Sequence, residues 1–187
     1  MRKLLIGVLY FFVAFLGIFS YITTMNKTIK ILNQLETEGL FHYVIGGSIA
    51  AIQYVEPFLT EDCDVFIHVD AKDLAPLSPI YARLAELGYA PDGQYVFIEG
   101  VEIQFLPITT PLVQEAYDHP FETDIDGEPT RVFSPEYVVA ICVETNRAKD
   151  WAKVATFIEE DAFDIDVLTE ILERHSLWDR FVTKAPI

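Results

Sequence analysis

Helical and strand-like segments alternate along residues 26–107, and only short connections separate them. Apolar residues recur at helical spacing in 26–38, whereas 63–69 alternates in the way that a half-buried strand does. The predicted helices span 26–38, 49–55, 78–88, 111–119, 134–145, 147–160 and 164–174; the predicted strands span 40–45, 63–69, 94–98 and 101–107, with a further hairpin within 121–133. This order of elements predicts an α+β protein, with an α/β half followed by a mostly helical end.

Residues 4–22 form an apolar run of 19 uncharged residues. A run of this length is just sufficient to cross a bilayer as a helix. Three interpretations stay open: a membrane anchor, a cleaved signal peptide, or an upstream extension of a chain that begins at Met25. We expect 1–24 to lie outside the folded domain, whose α/β core spans 25–133 and whose helical C-terminal part spans 134–187.

The chain is strongly acidic, with 29 Asp and Glu against 13 Lys and Arg and a formal net charge of −16. Such a surface repels phosphate backbones at long range, which argues against nucleic acid as a partner or substrate. Cys63 and Cys142 stand far apart in apolar runs, so we expect buried free thiols. No P-loop, zinc-ligand spacing or dinucleotide-binding fingerprint occurs in the sequence.

Two aspartates stand at the start of the strand predicted at 63–69. Alternate side chains of a strand share a face, so Asp62 and Asp64 should point the same way, roughly 6.5–7 Å apart along the chain. Two carboxylates at this spacing suit Mg²⁺, which prefers oxygen ligands and keeps water for exchange with phosphate. An isolated Asp-x-Asp pair is a weak signal, because acidic pairs at strand ends are usually solvated, so the surrounding residues decide between the two interpretations.

The surroundings of the aspartates favour a functional site. Strand 40–45 runs into Gly46-Gly47-Ser48, one short helix follows, and the next strand carries Thr60-x-Asp62-x-Asp64. This arrangement resembles the core of the nucleotidyltransferase superfamily, and in particular small bacterial proteins related to abortive-infection type nucleotidyltransferase toxins and the minimal nucleotidyltransferases. The resemblance implies a nucleotidyltransferase-like mixed sheet flanked by helices, with a helical C-terminal part. It also implies Mg²⁺-dependent transfer of a nucleoside monophosphate from an NTP to an acceptor.

The resemblance assigns roles to individual residues. The catalytic, metal-binding residues would be Asp62, Asp64 and Glu102, and the nucleotide-binding residues would be Gly46, Gly47, Ser48, Thr60, Arg147 and Lys149. The glycine turn suits phosphate because backbone N–H groups at a helix start favour an anion and missing β-carbons permit close approach. Arg147 and Lys149 belong to a stretch that resembles the family's R-x-K-D pattern. The alternative is an exposed helix start in which Asp150 forms a salt bridge.

Two features depart from the family pattern. Members often have Arg or Lys just before the threonine, where this chain has Leu59. The family's third carboxylate lies on a later strand, here 101–107, in which Glu102 and Gln104 share a face. A register slip of two residues keeps the same face, so the sequence leaves open which of the two stands beside the aspartates. A neutral glutamine there would weaken metal binding.

Two functions therefore stay open. The first is a cytoplasmic enzyme that uses Mg²⁺, ATP or another NTP, and an acceptor that the sequence does not identify. The second is a catalytically degenerate binding module, such as an antitoxin-like partner in a two-component toxin system. Either could be tethered to a membrane through residues 4–22. NTPs are abundant only inside the cell, so the enzyme requires a cytoplasmic domain, and the balanced charges flanking 4–22 fit either orientation.

Overall fold

Seven strands form one mixed sheet in the computed structural model, which describes residues 25–56, 62–69 and 75–185. The strands are β1 (Tyr43–Ile45), β2 (Asp62–Ile67), β3 (Pro91–Asp92), β4 (Tyr95–Ile98), β5 (Val101–Pro107), β6 (Phe121–Ile125) and β7 (Glu128–Val132). Their order across the sheet is β3-β4-β5-β2-β1-β7-β6. β2 runs parallel to β5 and β1 to β7, whereas the other neighbouring strands are antiparallel. The mixed sheet of an α+β fold is thus confirmed.

Helices occupy most of the remaining described chain. The first helix, α1, covers 25–37. The others are α2 (Gly47–Ala51), α3 (Ser78–Glu86), α4 (Pro111–Asp118), α5 (Pro135–Thr145), α6 (Ala148–Glu159), α7 (Ile165–Arg174) and α8 (Trp178–Lys184). Proline stands in the first turn of α3, α4 and α5, where its fixed φ suits the helix and its missing N–H has no helical partner.

The two faces of β2 have different environments. Cys63, Val65 and Ile67 have no exposed surface, whereas Asp62 and Asp64 on the other face are half-buried. The alternation arises because successive side chains of a strand point to opposite faces. One face therefore contributes to the core and the other carries the two aspartates, as the sequence predicts.

Two tight hairpins form where the sequence predicts them. Glu99 and Gly100 connect β4 to β5 with φ values of 53° and 90°, and Asp126 and Gly127 connect β6 to β7 with 53° and 81°. Two consecutive residues with positive φ make the turn type that matches the twist of paired antiparallel strands.

Polar contacts fix the C-terminal helices to the rest of the fold. Glu115 of α4 accepts a hydrogen bond from Tyr137 of α5 at 3.0 Å, and its carboxylate also contacts Arg174 at 2.5 Å and His175 at 2.6 Å. Arg180 of α8 donates to the Val143 and Glu144 carbonyl oxygens at the end of α5, both at 3.0 Å. These contacts join α4 to α5 and to the end of α7, and α8 to the end of α5.

The structure corrects some of the expected element boundaries. β1 has three residues instead of six, because residues 41–42 pair with no neighbouring strand. The short helix begins at Gly47, so Ser48 lies inside it and does not cap it; Gly46 occupies the cap position without a side-chain bond. β3 and α8 were not predicted. Cys63 and Cys142 are buried free thiols, as expected.

No helix in the described ranges is both long and apolar enough to cross a membrane. Residues 4–22, for which the sequence predicts a possible span, lie outside the described residues.

Candidate active site

A cavity of about 490 Å³ lies where β2 and β5 face the turn before α2 and the corner between α5 and α6. The sheet contributes Asp62, Asp64 and Gln104, and the corner contributes Arg147 and Lys149. The remaining lining residues are Gly47, Ser48, Phe66, Gln94, Tyr95, Leu106, Phe133, Val138, Ile141, Cys142, Thr145, Asp150 and Lys153. One cavity thus joins strand and helix residues that are about 85 positions apart in the sequence.

Opposite charges face each other across the cavity. Burial raises the pKa of Asp64, and the neighbouring carboxylate of Asp62 raises it further. The positive charges of Lys153, Lys149 and Arg147, which line the same cavity, oppose this rise. Lys149 and Lys153 are four residues apart on α6 and therefore lie on the same side of that helix. The cavity consequently has an acidic wall on β2 and a basic wall on α6.

Gly47 lies directly against the Asp64 carboxylate. A β-carbon at Gly47 would stand 1.9 Å from Asp64 Oδ2, a distance that real contacts do not allow, and its φ of +57° is the left-handed conformation that favours glycine. The backbone N–H of Gly46 donates to the Asp64 carbonyl oxygen at 2.9 Å. The glycine turn therefore holds the strand that carries the aspartates and makes room for the Asp64 carboxylate.

Gly46, the first residue of the turn, has a packing role. Gly46 is buried, and a β-carbon there would stand 2.4 Å from the Phe66 ring and 2.8 Å from the Phe133 ring. Those two rings contact each other with centroids 4.8 Å apart, and both line the cavity. Gly46 thus lets two aromatic rings close part of the cavity wall.

The sheet register places Glu102 and Gln104 each beside one aspartate, and the cavity lining distinguishes the two. In the parallel pairing of β2 and β5, Asp62 stands beside Glu102 and Asp64 stands beside Gln104. On the other side of β5, Gln104 stands beside Tyr95 of β4, and Glu102 stands beside a phenylalanine that is 49% exposed, Phe97. Gln104 and Tyr95 line the cavity, whereas Glu102 and Phe97 are not among the lining residues. The side chain that joins the aspartates in the cavity is therefore the neutral Gln104.

The basic corner is stabilised by a buried carboxylate. Asp150 is 1% exposed and accepts hydrogen bonds from Arg147 Nε at 2.7 Å and from Thr145 Oγ1 at 2.7 Å. Burial alone would raise the pKa of Asp150, but the bonds from Arg147 and Thr145 outweigh it and hold that pKa below its ordinary value. The expected salt bridge of Asp150 is present, and Arg147 lines the cavity at the same time.

The donor set of the cavity fits a hard divalent cation. Asp62 and Asp64 supply carboxylate oxygens, and Gln104 supplies a neutral amide oxygen beside Asp64. Mg²⁺ is commonly held by one or two carboxylates together with phosphate oxygens and water. Within the ranges described, no group of three or more His, Cys, Asp or Glu side chains is arranged to hold a metal ion. The oxygen atoms of Asp62, Asp64 and Gln104 would then be joined by water or by oxygen atoms of a bound molecule.

The structure brings most of the predicted site residues together. Asp62, Asp64, Gly47, Ser48, Arg147 and Lys149 line the cavity, whereas Gly46 packs behind it and Glu102 lies outside its lining. Thr60 and the neighbouring Leu59 lie outside the described residues. Lys153 was not predicted, although its spacing of four from Lys149 on a helix was a usable signal. Tyr95 was missed because its position depends on strand pairing.

Comparison with known proteins gives a result only at the level of structure. No protein-family model matches the chain, and no curated protein sequence matches it. An antigenic nucleotidyltransferase-like protein from Paracoccidioides brasiliensis is 16% identical with a TM-score of 0.54, covering 89% of this chain and 94% of that one. The antibiotic-resistance factor ANT(2'')-Ia is 16% identical with a TM-score of 0.50, covering 87% of this chain and 97% of that one. The chain therefore has the nucleotidyltransferase fold.

Proposed function

We propose that this protein is a nucleotidyltransferase that transfers a nucleoside monophosphate from ATP or another NTP to an acceptor, with Mg²⁺. One observation carries the proposal: Asp62 and Asp64 share a cavity with Arg147, Lys149 and Lys153. A nucleoside triphosphate bound with a cation needs both kinds of charge, carboxylates for the metal and side-chain cations for the phosphates. The similarity in fold agrees with this assignment and does not identify the substrates.

Each wall of the cavity has a separate task in this proposal. Asp62 and Asp64 hold the cation, which when bound neutralises phosphate charge and aligns the phosphates for in-line attack. Gly47 makes room for the Asp64 carboxylate because it has no β-carbon. Lys149 and Lys153 attract the phosphates as point charges, whereas the Arg147 guanidinium is held in place by Asp150.

The apolar part of the cavity suits a nucleobase. Phe66, Leu106 and Phe133 line it, and Tyr95 adds an aromatic ring with a polar end. Ligand cavities generally combine such apolar surface with a few fixed polar groups that orient the ligand. Base stacking in this part of the cavity would leave the phosphates near the charged groups.

Metal-dependent nucleotide binding tests the proposal. Calorimetry on the full chain should show that ATP or another NTP binds in the presence of Mg²⁺ and much more weakly without it. Asp62→Ala and Asp64→Ala should each reduce this affinity by roughly 10- to 100-fold, the scale of losing a group that supports a metal site. Neither change should unfold the protein, since both side chains lie on the face opposite the buried residues of β2.

Asp179→Ala is the matched control for those two variants. Asp179 is an exposed aspartate of α8 that does not line the cavity, so its removal should leave nucleotide affinity unchanged. Equal nucleotide binding by wild type and an Asp62→Ala, Asp64→Ala double variant would show that the site is assigned wrongly.

A catalytically degenerate binding module is the second candidate, and Gln104 is the observation that favours it. The neutral amide stands beside Asp64, where a third carboxylate would strengthen metal binding. Such a module, for instance an antitoxin-like partner in a two-component toxin system, would bind nucleotide or a protein without turnover. Incubation with α-labelled NTPs and a cell extract distinguishes the two, because only the enzyme transfers label to an acceptor.

The proposed enzyme has to work where NTPs are abundant, which places its domain in the cytoplasm. Membrane anchoring through residues 4–22 is compatible with this only if the C-terminus faces the cytoplasm. A reporter fused to the C-terminus measures the orientation: a phosphatase reporter that is active outside the cytoplasm would favour the binding module.

A further inference from the structure

The strand register separates the acidic face of the sheet into two rows. The inner row is Asp64, Gln104 and Tyr95, which stand side by side on β2, β5 and β4 and all line the cavity. The outer row is Asp62, Glu102 and Phe97, of which only Asp62 lines the cavity. The cavity therefore receives two carboxylates and one amide from the sheet, although the same face carries three acidic residues.

The two carboxylates that the sheet contributes to the cavity match the charge of one divalent cation. Asp62 and Asp64 together carry two negative charges when ionised, whereas the amide of Gln104 carries none. Two divalent ions that lie close together repel strongly at low dielectric, so a second ion needs anionic ligands from the protein in addition to the nucleotide's own phosphates. The positive charges of Lys153, Lys149 and Arg147, which line the same cavity, add to the repulsion of a second cation. Asp150 supplies no ligand for a second ion, because its carboxylate already accepts hydrogen bonds from Arg147 and Thr145.

We infer that the nucleotide complex of this protein holds a single divalent cation, bound by Asp62 and Asp64, and that Gln104 is the residue that prevents a second ion from binding. The inference rests on the proposed function, because it concerns the same cavity. The outer-row carboxylate of Glu102 takes no part in metal binding.

This arrangement separates nucleotide binding from activation of the acceptor. Holding a triphosphate needs only the ion that faces the phosphates, whereas in two-metal sites a second ion stabilises the attacking oxygen. Replacement of a carboxylate by Gln104 therefore limits the transfer step more than nucleotide affinity. An acceptor that must lose a proton before attack is used poorly by such a site.

Manganese stoichiometry tests the inference with a readout other than activity. The full chain is mixed with an equimolar non-hydrolysable ATP analogue, and bound Mn²⁺ is counted by electron paramagnetic resonance. We expect one Mn²⁺ per wild-type chain. Gln104→Glu should bind two Mn²⁺, and its overall affinity for Mn²⁺ should exceed that of the wild type by at least about tenfold. Even residues that only contact a metal's ligands change metal affinity by roughly 10- to 100-fold. Glu102→Gln should match the wild type.

The outcomes separate this inference from the proposed function. Two Mn²⁺ per wild-type chain, or loss of Mn²⁺ in Glu102→Gln, would overturn the inference while leaving metal-dependent nucleotide binding in place. A folded Gln104→Glu chain that still binds one ion would overturn the role given to Gln104. Failure of every variant to bind the analogue with Mn²⁺ would overturn the proposed function as well. Circular dichroism reports folding, and Gln104→Asp replaces Gln104→Glu if the longer acid unfolds the chain.

Discussion

Gly47→Ala is the substitution whose effect on the cavity can be worked out most directly from the structure. The added β-carbon would stand 1.9 Å from Asp64 Oδ2, and ordinary contact begins at 3.4 Å, so the oxygen would have to move by about 1.5 Å (3.4 − 1.9). Mg²⁺ binds its ligands at about 2.0–2.1 Å in near-ideal octahedral geometry. A carboxylate displaced by that distance can no longer serve as a ligand in its original position.

Two consequences of Gly47→Ala should be separable. The φ of +57° is unfavourable for alanine, which should cost about 1–2 kcal/mol of unfolding free energy. Displacement of Asp64 should in addition weaken Mg²⁺-dependent nucleotide binding by at least about tenfold, or about 1.4 kcal/mol. Gly39→Ala provides the matched control, because Gly39 has a φ of +81° with no atom within 4 Å of an added β-carbon.

Urea denaturation and calorimetry measure the two effects. Both alanine variants should lose the stability that positive φ costs an alanine, but only Gly47→Ala should lose nucleotide affinity. If Gly47→Ala remains folded and binds nucleotide with wild-type affinity, the contact with Asp64 does not shape the site and the reasoning is refuted. A loss of affinity in Gly39→Ala would show instead that general destabilisation causes the effect.

Three further predictions follow from other parts of the molecule. Lys153→Gln should weaken NTP binding and reduce its salt dependence in calorimetry, whereas Lys30→Gln, which changes a lysine outside the cavity lining, should not. Hydrogen bonds, of which the one from Arg174 has the largest effect, lower the pKa of Glu115 to about 2. Glu115 therefore stabilises the fold fully at pH values above the ordinary pKa of glutamate, and this stabilisation is lost as the pH falls through about 2. Denaturation should accordingly show Glu115→Gln weaker than wild type at pH 7, with the difference narrowing toward pH 2. Fragment 25–187 should fold alone, and aggregated fragment beside folded full-length chain would contradict this.

The sequence predicts those elements whose stability is decided locally. The two hairpins could be predicted because Glu99-Gly100 and Asp126-Gly127 favour positive φ regardless of the rest of the fold. β3 could not, because its two residues form a strand only through pairing with β4. α8 has seven residues and buries Phe181 alone, so it lacks an apolar stripe long enough to recognise.

The site follows the same division between local and long-range causes. The shared face of Asp62 and Asp64 depends only on strand geometry, and the structure agrees with it. Whether Glu102 or Gln104 stands beside Asp64 depends on the register between β2 and β5. The two strands define this register together, so neither sequence segment reveals it alone. Lys153 could be placed beside Lys149 by helical spacing, but only the packing of α6 shows that both face the aspartates.

The acidic composition and the basic wall of the cavity lead to one conclusion about ligand size. The net charge of −16 acts on an approaching ligand out to about 8–10 Å from the surface, the Debye length near physiological salt. Inside a cavity the nearest groups dominate, because water screens them less. A nucleic acid would have to lie along much of the acidic surface and would be repelled, whereas a nucleoside triphosphate that fits within the cavity meets Arg147, Lys149 and Lys153. The composition therefore argues against a polymeric phosphate ligand and is compatible with a small one.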